Sequence, residues 1–163
     1  MGFDESDEPI VVERADHMSR NKYWAHIALE SSKVITFLDL CGHEKYLKTT
    51  MYGMVGLMPD YAMIVVGANM GMQTMTKEHL GLALVLEVPV FVIVTKIDIA
   101  PANVYTRTLE NLCKIFKSKQ LNKMPIVMKL DEDMTPYMAG VRGGSTVPIF
   151  SVSSVSGDGL PQL

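Results

Sequence analysis

Cysteine is scarce: Cys41 and Cys113 are the only two in 163 residues, beside a single tryptophan. Two thiols cannot make a disulfide framework, so the core has to hold the fold, and a reducing compartment, the cytoplasm, is the expected setting. Long apolar runs are missing too. The longest, around Val88 to Val94, is cut by Pro89 and falls well short of the about 18 residues of a membrane span. Met1 to Glu8 is acidic and lacks the apolar stretch of a secretory signal. Positive charge is not in excess: 15 basic residues face 18 acidic ones, net −3, so no global basic field argues for nucleic acid. Repeats and low-complexity segments are absent. What remains is ordinary globular composition, 48% apolar and 20% charged. The length predicts one domain that buries roughly 70% of its unfolded surface.

Periodicity predicts the elements. Tyr23 to Glu30 alternates, with Tyr23, Ala25, Ile27 and Leu29 on one face, and reads as a strand. Ser31-Ser32 then turns the chain into the β-branched run Lys33 to Asp39, which predicts a hairpin. His43 to Leu57 has helical spacing and stops at Pro59. Tyr61 to Ala68 and Pro89 to Thr95 are near-continuous apolar strands of the kind buried on both faces of a parallel sheet. Helices are expected over Thr76 to Glu87, capped by Thr76, and from Pro101 to about Lys117. Residues 118–147 read as irregular, with a short strand at Ile126 to Met128; Val147 to Val152 is the last strand. Alternating strands and helices of this kind predict an α/β parallel sheet.

Ligands of open α/β sheets bind beyond the carboxyl ends of the strands, so those ends carry the chemistry. The first gives Asp39-Leu40-Cys41-Gly42-His43. A carboxylate there can hold a Mg²⁺-bound water, and glycine lets a backbone N–H approach a phosphate. Taken alone, the same residues serve equally as a turn after a strand. The end after Val65 offers the small residues Gly67, Ala68 and Asn69. The third offers Thr95-Lys96-Ile97-Asp98, whose carboxylate can accept two hydrogen bonds from a guanine edge while the lysine stem lies along the base. Lys129-Leu130-Asp131 mimics it but leads into more acids and no helix, and reads as a solvated loop. The last strand ends in Ser151-Val152-Ser153-Ser154-Val155-Ser156-Gly157, whose backbone N–H groups can meet a base carbonyl or cap a helix.

In combination these motifs resemble the GTPase core of translation factors. Asp39 to His43 is similar to the Asp-x-x-Gly-His of elongation factor Tu relatives, Thr95 to Asp98 to their Asn-Lys-x-Asp, and Ser153-Ser154-Val155 to their Ser-Ala-x loop. Lys33 to Thr50, Met75 to Leu84 and Pro89 to Asn103 resemble, more narrowly, eukaryotic elongation-factor-like GTP-binding proteins. The resemblance implies a three-layer, doubly wound, mostly parallel P-loop GTPase-like fold with one antiparallel hairpin. It implies that Asp39 holds Mg²⁺ through a water, that the Gly42 N–H meets the γ-phosphate, and that His43 positions the attacking water. Thr95, Lys96 and Asp98 would select guanine, and the loop at Ser153, Ser154 and Val155 would meet its carbonyl oxygen. GTP or GDP with Mg²⁺ is the implied ligand, and a ribosome or other RNA–protein machinery the implied partner.

Two departures are small: Thr95 stands for asparagine, and Gly67 stands where many translation factors carry aspartate. The third is large, since no Gly-x-x-x-x-Gly-Lys-Ser/Thr occurs in the sequence. That motif cradles the α- and β-phosphates, and in the family it precedes the region matched here, together with the first strand. The expectation is therefore a partial GTPase domain over residues 23–163, preceded by a weakly ordered, switch-like segment over residues 1–22. The intact protein would hydrolyse GTP; the alternative is a catalytically silent interaction module. Nucleotide binding by this chain alone is expected to be weak, and association of copies through unpaired strands is expected.

Overall fold

The computed structural model describes residues 1–6, 8–10, 19–129 and 133–163. Two compact units divide the chain, Met1–Asp39 and Leu40–Leu163. In the first, β1 (Gly2–Phe3) pairs antiparallel with β2 (Lys33–Val34), Gly2 opposite Val34. Met1 and Ile35 extend the ribbon, each nitrogen donating to the other's carbonyl at 2.7 and 2.8 Å. Helix α1 (Arg20–Glu30) packs on it through Ile27. A Cβ on Gly2 would fall 1.9 Å from Ser31 Oγ and 2.7 Å from Ile27 Cγ2, so only glycine admits this approach.

Tyr23 to Glu30 is thus helix, not strand. Arg20, Lys22, Ala25, Ala28 and Leu29 are good helix formers. Of the four alternating apolar residues only Ile27 is buried, while Leu29 is 86% exposed. The spacing of two therefore marked no inward face. The expected hairpin about Ser31-Ser32 gives way to the β1–β2 pairing, and the run to Asp39 contributes only Lys33–Val34 to a ladder. Ile35, Phe37 and Leu38 stay exposed: a β-branched run becomes strand only where a neighbour takes its hydrogen bonds.

In the second unit a 3₁₀ turn, Glu44–Tyr46, leads into α2 (Leu47–Leu57), which ends with Met58 at φ 44 before Pro59. Then follow β3 (Ala62–Gly67), α3 (Thr74–Val85), β4 (Val90–Thr95), α4 (Ala102–Phe116), β5 (Met124–Val127), α5 (Met138–Arg142) and β6 (Thr146–Ser151). The four strands form one parallel sheet in the order β3-β4-β6-β5, with β3 and β5 at its edges. The predicted strands and helices fall here within a few residues; Gln73 rather than Thr76 caps α3, and Pro101 caps α4 rather than opening it. The α/β parallel sheet with an antiparallel pair is the architecture expected.

Even-numbered β3 and β4 residues, Ile64, Val66, Val92 and Val94, face one core with Val147 and Ile149 of β6. Met54 of α2, Leu80 and Ala83 of α3, and Leu112 and Phe116 of α4 close that core. On the other face Ile93 and Phe150 form a smaller cluster with Met128 and Val152, and Phe91 meets Phe150 edge-on at 6.3 Å. Met63 and Val65 of β3, on that same side, remain 41% and 51% exposed. Among the described residues no helix is long and apolar enough to cross a membrane.

Candidate functional site

Parallel pairing brings the carboxyl ends of β3, β4 and β6 to one rim of the sheet: Gly67 lies opposite Thr95, and Val94 opposite Ser151. Past Thr95 the chain turns sharply, with Lys96 in the left-handed region at φ 62. A non-glycine residue there costs about 1 kcal/mol or more, and it swings Asp98 toward the end of β6. Val152 N–H donates to the Val94 carbonyl at 2.8 Å, and Ser153, fully buried, donates its hydroxyl to Asp98 Oδ1 at 2.7 Å. The same Oγ accepts from the Val155 and Ser156 amides, both at 3.2 Å. One serine thus organises the loop on its own side and fixes the carboxylate on the other.

The loop closes by Ser153 N–H to the Asp158 carbonyl, by Gly157 N–H to the Ser153 carbonyl, and by Ser156 Oγ to Asp158 Oδ2 at 2.6 Å. Gly159, at φ 72, lies so near β6 that a Cβ would come within 2.1 Å of the Ser151 carbonyl oxygen. Ser154 and Val155 point outward, and Val155 is 85% exposed. Asp98 is exposed as well. A carboxylate has about four lone-pair sites, and Ser153 takes one. Sequence reasoning did not foresee the tie of α4 to this rim, Tyr105 Oη donating to Ser151 Oγ at 2.9 Å. Tyr105 sits in an ordinary helical stripe that carries no motif.

Beside the Asp98–Ser153 pair lies an open cleft of about 280 Å³, lined by Gly67, Asn69, Gln73, Thr76, Thr95 and Lys96 among others. Thr95 and Lys96 border both features. The cleft's other polar residues, Asn69, Gln73 and Thr76, belong to the loop after β3 and the first turn of α3. Only the small residues after β3 signalled them in the sequence.

The Asp39-to-His43 motif straddles the two units. Asp39 is exposed and ends the first. Gly42 and His43, also exposed, open the second. No atom lies within 4 Å of the position a Gly42 Cβ would take, and its φ is not positive, so the fold itself does not demand glycine there. His43 caps the 3₁₀ turn: its Nδ1 accepts from Lys45 N–H at 3.1 Å, and its ring meets Tyr46 edge-on at 6.1 Å. An accepting Nδ1 places the proton of the neutral ring on Nε2. Of the decoy run, Leu130 and Asp131 lie outside the described residues.

A parallel α/β sheet whose rim joins a Lys-x-Asp turn to a serine loop defines a GTPase-like nucleotide-binding fold. The sequence comparison gives the family: residues 10–163 match the elongation factor Tu GTP binding domain, and the chain belongs to that family. It is 46% identical over its whole length to GTP-binding protein 1 of Xenopus laevis and 39% identical to GTP-binding protein 2 of Homo sapiens. It covers 25% and 26% of those proteins, so it spans about a quarter of their length. A selenocysteine-specific elongation factor of Haemophilus influenzae is 40% identical over 76 residues, 46% of this chain and 12% of that one. The fold is similar to that of elongation factor SelB from Methanococcus maripaludis, solved with the GTP analogue GppNHp. That match has a TM-score of 0.56 at 23% identity, over 76% of this chain and 22% of the other.

Proposed function

We propose that this chain supplies the guanine-recognition half of a translation-factor-like GTPase, and that the intact protein hydrolyses GTP to GDP and phosphate. The observation that carries the reading is the Ser153–Asp98 hydrogen bond, which holds a carboxylate at the junction of β4 and β6. Asp98 accepts the guanine N1–H and 2-amino group, the Lys96 stem lies along the base, and the Ser154 and Val155 amides meet the carbonyl oxygen. Thr95 takes the asparagine's place beside them.

Mg²⁺ and phosphates would bind toward Asp39 and Gly42. Mg²⁺ that arrives with the phosphates keeps much of its water. Asp39 would hold it through a water, and Mg²⁺ would neutralise charge on the phosphates. The space at Gly42 lets its N–H approach the γ-phosphate, and His43 Nε2–H is available to orient water. The silent interaction module is a second reading, favoured by one feature: α2 exposes Met51, Tyr52 and Val55, with Tyr52 at 72%.

Asp98→Asn in the full-length protein tests the base assignment. The exchange puts a donor against the guanine N1–H, so GTP should weaken and xanthosine triphosphate gain. Sites built on such bonds discriminate by about 10⁴ or more. Competition binding with the two nucleotides reads the switch, and unchanged GTP affinity would sink the assignment.

A further inference from the structure

The net charge of −3 conceals a strong asymmetry. Between Glu110 and Asp131 the sequence carries no acidic residue and five lysines, at positions 114, 117, 119, 123 and 129. The fold gathers four of them with an arginine at the end of the sheet away from the candidate nucleotide site. Lys114 lies in the last turn of α4, and Lys117 is its C-cap residue. Both are exposed, as is Lys119 in the turn that follows. That turn is bonded back on itself, Leu121 and Asn122 N–H to the Ser118 carbonyl and Lys123 N–H to the Phe116 carbonyl. It is also tied sideways: the Lys123 ammonium donates to the Gly144 carbonyl, and Met124 N–H donates to the Ser145 carbonyl at 2.8 Å. Exposed Arg142, at the end of α5, is thereby brought to the same rim. The nearby amino ends of β3 and β4 carry Asp60 and Glu87 instead, so the rim grades from acidic on the β3 side to basic on the β5 side.

Lysines in the last turn of a helix favour the helix dipole and need no partner for that. Helix dipoles account for Lys114 and Lys117 and for Arg142 in the last turn of α5, and Lys123 is held by the Gly144 carbonyl, but neither accounts for Lys119 or for the gathering of all five cations at one rim. We infer that this rim, formed by Lys114, Lys117, Lys119, Lys123 and Arg142, docks the phosphodiester backbone of helical nucleic acid. Two observations select that partner. The amides of Asn111, Gln120 and Asn122 and the hydroxyl of Ser145 are exposed among the cations, the mixture that contacts phosphate and sugar. Apolar and aromatic anchors of the kind that carry protein–protein interfaces are nearly lacking, the exposed exception being Met124 at 53%. Among the described residues on the β5 side of this rim no aromatic ring is exposed, Tyr61 at 39% lying on the acidic β3 side. The cations thus have no stacking platform for single strands beside them, and binding should follow helical backbone with little sequence preference. β6 spans six residues, roughly 17 Å at about 3.3 Å per residue. The rim is thus separate from the nucleotide site and does not rest on the reading of that site.

The experiment is fluorescence anisotropy of the full chain with labelled RNA and DNA duplexes of about 20 base pairs. Between about 50 and 200 mM KCl, the logarithm of the binding constant should fall against the logarithm of salt with a slope of about −3 to −4, the value for four neutralised phosphates. The triple reversal K114E/K117E/K119E should remove about three units of that slope and at least roughly 100-fold in affinity, with an unchanged circular dichroism spectrum. Lys77→Glu, on α3, should bind as the parent does. Absence of binding to both duplexes at low salt would overturn the inference, as would equal loss in Lys77→Glu. Tighter binding to polyglutamate or to anionic vesicles than to either duplex would overturn it as well.

Discussion

Ser153 is the residue through which the rim of the sheet is most easily tested. Its hydroxyl donates once, to Asp98, and accepts twice, from Val155 and Ser156 N–H. Ser153→Ala removes all three bonds at a fully buried position, where orphaned groups cost about 1–3 kcal/mol. The melting temperature of the chain should fall by roughly 2–4 °C per kcal/mol. In the full-length protein guanine affinity should fall as well, because Asp98 loses its anchor; a lower melting point with intact GTP binding would separate Ser153 from base recognition. The observed cap by His43 and its proposed action on water can be pulled apart. His43→Ala deletes the cap to Lys45 N–H together with any action on water, whereas His43→Asn keeps a capping acceptor. If His43 orients water, both variants should lower turnover of bound GTP by about 10² or more with affinity nearly unchanged. Recovery of turnover in the asparagine variant would make the histidine a cap alone. Asp98 and Ser153 were legible as candidates because each follows an apolar strand, β4 or β6, whereas His43 was singled out by the resemblance alone, since β2 ends at Val34, well before Asp39. The Tyr105–Ser151 tie was not legible, since nothing about a helical tyrosine announces which hydroxyl it will meet.

Among elements, β4 and β6 were readable from composition because both their faces are covered and continuous Val and Ile is the direct signature of that burial. β3 has the same composition but buries only Ile64 and Val66, leaving Met63 and Val65 half exposed. β5 was read two residues late, at Ile126 to Met128, because Met124 and Pro125 suit an edge strand rather than a central one. α1 and β2 were misread for a shared reason. Tyr23 to Glu30 alternates without burying a face, and Lys33 to Asp39 has strand composition but finds only two ladder partners. Pattern predicts burial only where something arrives to do the burying. The loop from Ser153 to Gly159 offers a cleaner test of local necessity. Gly157 and Gly159 both have positive φ, 84 and 72, but a Cβ meets nothing at Gly157 and the Ser151 carbonyl oxygen at 2.1 Å at Gly159. Gly157→Ala should cost about 1 kcal/mol, the left-handed penalty alone. Gly159→Ala adds a backbone clash and should cost at least about twice that in urea unfolding. Equal costs would mean that the loop moves away from β6 without penalty.

At the scale of the whole molecule, the sheet ends at β3 in six residues that include no proline, lysine or other charge, with Met63 and Val65 half exposed along it. Natural edges are usually blunted by such residues, and an unblunted one is a template for another chain. The consequence concerns what stability means for this protein. If copies meet through β3, the folded state becomes a species whose population follows mass action. Its unfolding midpoint is then a function of how much protein is in the tube, not a property of the sequence alone. Each tenfold rise in concentration would add about 1.4 kcal/mol per mole of dimer, visible as a melting curve that climbs with concentration and a light-scattering mass that doubles. A melting point flat across a hundredfold range would show β3 to be self-sufficient, its backbone content with water.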